Sequence, residues 1–141
     1  MFCIMKLQEL KFETSSATDV IDITGDIQAA VKKAGLENGA CVLFCPGSTA
    51  SISTIEFEPG AVRDLKEALE KLAPEDGNYH HEEAWHDGNG YSHVRAALMK
   101  PGITVPVMNG KLTLGTWQQL ILLDFDNKPR HRTVLVQVLE S

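Results

Sequence analysis

The sequence predicts an α+β domain with a largely antiparallel sheet and two or three helices packed on one side. Three observations lead there. The C-terminal third is almost wholly extended in pattern, ending in "HRTVLVQVLE", where Val134, Val136 and Val138 alternate onto one face. Asn109–Gly110 stands between two extended runs in "ITVPVMNGKLTL", a strong hairpin signal. Adjacent strands are joined by short turns, with helical patterns interspersed.

Each element has its own reason. "VIDITGDIQAAVKKAGLENG" reads as a strand and then a helix. Ile27, Ala30, Val31 and Ala34 form its apolar face, Thr24 or Asp26 is available as a cap, and Gly35 suits its end. "GACVLFCPGSTASISTIEFE" reads as two strands joined through a Pro46–Gly47 turn. "EPGAVRDLKEALEKLAP" is the clearest helix. Val62, Leu65, Ala68, Leu69 and Leu72 make one stripe, with Pro59 at the start and Pro74 beyond the end. "TWQQLILLDFD" reads as a long apolar strand.

Composition sets bounds. The 141 residues predict one domain, 1–141, large enough to build its own core. A net charge of −6 argues against a nucleic-acid partner, which calls for a basic face. No apolar run reaches the roughly 20 residues that span a bilayer, so no membrane partner is expected. "MFCIMKLQEL" lacks the pattern of a signal peptide, and a cytoplasmic protein is expected. Cys3, Cys41 and Cys45 are an odd set. Four residues of strand hold Cys41 and Cys45 roughly 13 Å apart, against about 4.4–6.8 Å for a disulfide. Free buried thiols follow.

The chemistry gathers in "YHHEEAWHDGNGYSH", residues 79–93, with four of the five histidines. His81 and His86 are five apart and do not share a helical face, so the zinc-protease pattern fails. "DGNGYS" lacks the glycine and glutamate of a calcium loop. An irregular site is expected instead: 79–85 as strand, "DGNG" as turn, and "SHVRAALM" as a helix carrying His93 and Arg95. That turn brings histidines from both sides together for a zinc or iron site. Histidines that merely cap, pair or face water are the alternative. "PGSTAS" offers Gly47, Ser48 and Thr49 as an anion cradle, or is a plain turn. In "LGTWQQ", Thr116, Trp117 and Gln118 interrupt an apolar strand; Trp117 reads as core or pocket, and Gln118 needs partners.

"CPGSTASISTIE", "HDGNGYSHVRAALM", "ITVPVMNGKLTLGTWQQ" and "DFDNKPRHRTVLVQV" together resemble the YjbQ family, in order and spacing. The resemblance implies an α+β fold, a homotrimer with sites near subunit interfaces, and thiamine-phosphate-synthase-type activity. It carries a polar site over to His81, Asp87 and His93, with Glu56, Thr116 and Gln118 nearby and His86 as an extra ligand. Many members have a histidine where this chain has Gly47.

The expected assignments follow. A divalent metal, zinc first, sits on His81, His86 and His93. Glu56, Asp87, Arg95 and Gln118 are the catalytic candidates. Gly47, Ser48, Thr49, Asn89, Thr116 and Trp117 bind a small phosphate-bearing ligand. In a pyrophosphate-releasing transfer, Arg95 and the 47–49 amides would meet the leaving group's charge. Metal-assisted hydrolysis, with Glu56 or Asp87 as base, is the main rival. A non-catalytic trimer that binds metal or a small anion is the third reading. The apolar run Leu120 to Leu123 and the valine face near the C-terminus also suggest a surface covered by assembly.

Overall fold

A computed structural model describes residues 5–141; Cys3 lies outside them. The described strands and helices run β1 (Met5–Thr14), β2 (Asp19–Asp22), α1 (Thr24–Ala34), β3 (Gly39–Phe44), β4 (Ala50–Ile55), α2 (Pro59–Leu72), α3 (His81–Trp85), α4 (Gly90–Met99), β5 (Gly102–Met108), β6 (Lys111–Leu112), β7 (Gln119–Asp124) and β8 (Arg130–Glu140). The fold is α+β and every strand pairing is antiparallel.

The strands form two sheets, ordered β1-β8-β3-β5-β6 and β2-β7-β4. β8 sits between β1 and β3 and buries Arg132, Val134, Val136 and Val138 on one face. β7 is central to the smaller sheet and buried on both faces, which explains its unbroken apolar run. Leu120 and Leu122 join the core between the sheets. Ile121, Leu123 and Phe125 face a second core with Leu69 of α2 and Ala96 of α4.

The helices are therefore not all on one side. α1 places Ile27, Ala30, Val31 and Ala34 in the inter-sheet core, while α2 and α4 cover the outer face of the smaller sheet. Ser51 Oγ donates to the Ala96 carbonyl at 3.1 Å and fastens α4 to β4. The run Leu120 to Leu123 and the valine face are thus covered within one subunit. They give no argument for assembly.

Several local expectations hold. Gly35 ends α1 in the left-handed region at φ 71°, and Asn109 and Gly110, at φ 50° and 72°, make the β5–β6 hairpin turn. Cys41 and Cys45 are free and buried. Burial pushes the Cys41 thiol up to about 11, and desolvation likewise raises Cys45.

Others differ. Ile23 stands at the N-cap of α1, which has no side-chain cap; Thr24 instead accepts the Leu120 N–H at 2.9 Å, tying α1 to β7. The 46–49 turn does not close a hairpin, because β3 and β4 lie in different sheets. β7 starts only at Gln119, since residues 115–118 form a turn closed by the Gln118 N–H on the Gly115 carbonyl at 3.0 Å. No helix among the described residues is long and apolar enough to cross a membrane.

Candidate functional site

The histidine-rich stretch folds as the short helix α3, a bend, and the start of α4. Residues 81–85 are helix, not the expected strand. A run this short has no decisive period, and its polar Glu82 and Glu83 suit a first helical turn. His86 ends α3 at φ 50° and Gly88 follows at φ 68°. The Glu82 carboxylate folds over this bend, accepting the N–H groups of Gly88 at 2.7 Å and Gly90 at 3.0 Å. The bond from Gly88 is the main cause that holds Glu82 below its ordinary value, against opposing desolvation.

The bend is pinned to the loop after β7. Asn127 Nδ2 donates to the Asp87 carbonyl at 2.8 Å, and Asn89 Oδ1 accepts Ser92 Oγ at 2.7 Å and the Asn127 N–H at 3.3 Å. Gly90 is required for a separate reason. A Cβ there would stand 2.5 Å from Tyr79 Cβ.

His81 and His93 meet across this bend, ring centroids 4.4 Å apart and edge to face. His81 Nε2 lies 3.3 Å from Asp87 Oδ1. It is nevertheless buried without a hydrogen bond among the described residues, because proximity alone does not give hydrogen-bond geometry. His93 Nδ1 lies 3.1 Å from the Ser48 carbonyl. A carbonyl only accepts, so the network assigns the proton to Nδ1 and leaves Nε2 with its lone pair. Ligand atoms of His81, Glu82 and Asp87 all fall within 4.8 Å of one another. The Glu82 oxygens in that set also accept the Gly88 and Gly90 N–H groups, and His93 stands beside the set through its ring contact with His81.

Opposite stands a wall of arginines. A groove of about 420 Å³ is lined by Asp87, Asn89 and His93 on one side, by the Gly47–Thr49 turn, and by Asp126, Arg130 and Arg132 on the other. Arg132 is only 9% exposed. Its Nε and Nη2 grip Asp124, each at 2.7 Å, and Nη2 also donates to Thr49 Oγ1 at 2.5 Å. Burial alone would lower the Arg132 pKa, but the Asp124 carboxylate more than offsets it and holds it raised. Asp126 takes Arg130 Nε at 3.0 Å and Thr49 Oγ1 at 3.0 Å. Burial pushes its pKa up, and the Arg130 and Thr49 bonds more than reverse that.

The model of the UPF0047 protein YjbQ-like family matches residues 8–141. The chain belongs to this family. It is 36% identical to a UPF0047 protein of Archaeoglobus fulgidus over 131 residues, spanning 93% of this chain and 99% of that protein. It is 31% identical to the UPF0047 protein YugU of Bacillus subtilis, over 94% of this chain and 98% of the other. A crystal structure of a YjbQ/UPF0047 protein from Clostridium acetobutylicum superposes with a TM-score of 0.85 at 39% identity, covering 93% of this chain and 98% of that one. A YbjQ-like protein of unknown function from Sulfolobus solfataricus gives 0.87 at 29% identity, covering 98% and 100%.

In this YjbQ-like chain the residues predicted for the site do not all converge. His81, Asp87, Asn89, His93, Gly47, Ser48 and Thr49 come together at the groove or its edge. Glu56, Thr116, Trp117 and Gln118 do not. Ala50 pairs with Asp124 and Ile55 with Gln119, so these four lie one strand length away, roughly 17 Å. Gln118 is satisfied there by Thr54 Oγ1 at 3.2 Å, and Trp117 is 72% exposed instead of core. His86 is exposed and serves as the backbone cap of α3.

Arg95 stands alone. It is 1% exposed, donating to the Ala73 carbonyl at 2.9 Å, Thr18 Oγ1 at 2.7 Å and Glu70 at 2.5 Å, with its guanidinium 4.9 Å from the Tyr91 ring centroid. It ties α4 to the end of α2 and does not line the groove.

Arg130, Arg132, Asp124 and Asp126 were missed by the sequence reading. Their signal was present in "LLDFD" and "RHR". Charges spaced two apart beside apolar strands share a face with the core, and buried charges need partners.

Proposed function

We propose that this chain holds a divalent metal, zinc first, on His81, His93 and Asp87, and uses it with the arginine wall on a small phosphate-bearing ligand. The observation that supports this best is His81 Nε2. A buried nitrogen without a partner costs about 1–3 kcal/mol, and here it sits 3.3 Å from a carboxylate oxygen. Two imidazoles and a carboxylate fit zinc, and the Ser48 carbonyl orients His93 as outer partners of metal ligands do. When bound, the metal would polarise a phosphoryl oxygen. The chain's own groups would do the rest: Arg130 and Arg132 meet negative charge, and the 47–49 turn shapes the floor.

A thiamine-phosphate-synthase-type transfer fits within this reading, with the departing diphosphate against the arginines. A hydrolase is the second reading, favoured by the imidazole-rich donors, since diphosphate chemistry on magnesium draws on oxygen ligands. Metal analysis of purified protein tests the centre. Close to one zinc per subunit is expected, lost on chelation and restored by added zinc. Full occupancy in a His81→Ala/His93→Ala double variant would overturn it.

The homotrimer remains part of the proposal on family resemblance. It offers a way for Glu56 and Gln118 of one subunit to approach the groove of the next. Light scattering at micromolar concentration should return three times the mass of one chain, and a monomer there would remove the idea.

A further inference from the structure

Arg132 carries a feature that neither the fold nor the proposed metal uses. A guanidinium has five N–H donors. Nε supplies one to Asp124, and Nη2 supplies one each to Asp124 and Thr49. The two N–H groups of Nη1 are given to no described residue. Nη1 faces the groove at Gly47, where an added Cβ would come within 3.3 Å of it. The absence of a side chain at Gly47, which adopts φ 128°, keeps that approach open.

We propose that Arg132 Nη1, with Arg130 beside it, is the receptor for a tetrahedral oxyanion, the phosphate end of the groove's ligand, and that Asp124 and Thr49 are positioning residues which hold it. This rests on the same groove as the proposed function but requires no metal.

The guanidinium is aimed before any ligand arrives, because its other three donors are fixed by buried partners. A pre-oriented donor loses little freedom on binding. Arg130 is two residues along β8, hence on the same face and roughly 7 Å away. Its side chain is half-exposed, with Nε on Asp126.

The local carboxylates are accounted for. Asp124 is bound to Arg132, and Asp126 is engaged by Arg130, Thr49 and the Lys128 N–H. Asp87 lies on the histidine wall and accepts the Asn89 N–H at 3.1 Å. Oxygens pointing in several directions, as on phosphate, can engage both arginines. A planar carboxylate matches one fork.

The test uses full-length, chelator-treated protein labelled with ¹⁵N in its arginine guanidinium groups. Inorganic phosphate is titrated in, with acetate as the control. The Arg132 and Arg130 side-chain signals, assigned with Arg130→Met, should shift saturably with phosphate and barely with acetate. Arg132→Lys, which keeps a charge for Asp124 but removes the second fork, should weaken phosphate by about tenfold or more in calorimetry.

Unmoved Arg132 signals, an equal response to acetate, or undiminished phosphate binding by Arg132→Lys would each overturn the proposal. If Arg132→Lys fails to fold, the titration of the native protein decides alone. Protein that holds no zinc as purified and takes up none when it is added, yet binds phosphate, would sink the metal reading and leave this one standing. A zinc-loaded protein with a silent Arg132 would do the reverse.

Discussion

Asp124→Ala should lower the unfolding free energy by about 3–5 kcal/mol, because it strands the buried Arg132 charge without its partner. Asp124 is fully buried and accepts two bonds from Arg132 and one from Thr14 Oγ1 at 2.5 Å. A single domain has roughly 5–15 kcal/mol in total, so the loss would be a large share of the native stability. Urea denaturation should show the midpoint falling sharply with little change in slope. Asp124→Leu/Arg132→Met should recover most of that loss, since replacing both charges by apolar groups removes the desolvation cost together with the attraction. A single variant as stable as the native protein would show that this pair does not support the fold.

Arg95→Met is expected to cost roughly 2–3 kcal/mol through the buried groups it leaves unpaired, the Ala73 carbonyl and Thr18 Oγ1. Its ion pair with Glu70 contributes less than its short distance suggests, because the Glu70 side chain is about half-exposed and solvent screens it. Phosphate affinity per folded molecule should stay unchanged. A place for Arg95 against the leaving group's charge, as expected from the sequence, would instead call for weakened phosphate binding. Thermal melting and calorimetry on the same sample separate the two, and weakened phosphate binding with a native melting temperature would return Arg95 to the site.

The contrast between the two arginine positions shows how much of the site was legible. His93 and Arg95 sit two apart on one helix, about 200° around it, and that spacing already warned that they face different ways. Which way was the groove depended on what packed against α4. The smaller sheet and the end of α2 took the Arg95 face, and His93 went to the Ser48 turn. For Arg130 and Arg132 the alternation of β8 was plain, yet their partners lie in β7, the loop after it and the 46–49 turn, joined only when the two sheets stack.

Periodicity, turn residues and charge were enough to determine the α+β class, α1, α2 and α4, the Asn109–Gly110 hairpin, the unbridged Cys41 and Cys45, and the bend that brings His81 and His93 together. These are local properties: an apolar stripe, a left-handed turn residue or a strand's length depends on neighbours in the chain. Tertiary structure alone decided that the strands divide into two sheets, that β7 is buried on both faces, and that Glu56 and Gln118 lie a strand length from the histidines. It alone brought Asp124, Arg132 and Thr49 into one buried network. Such pairings join residues distant in sequence, and an isolated charge in a strand shows that a partner is needed without showing where it is.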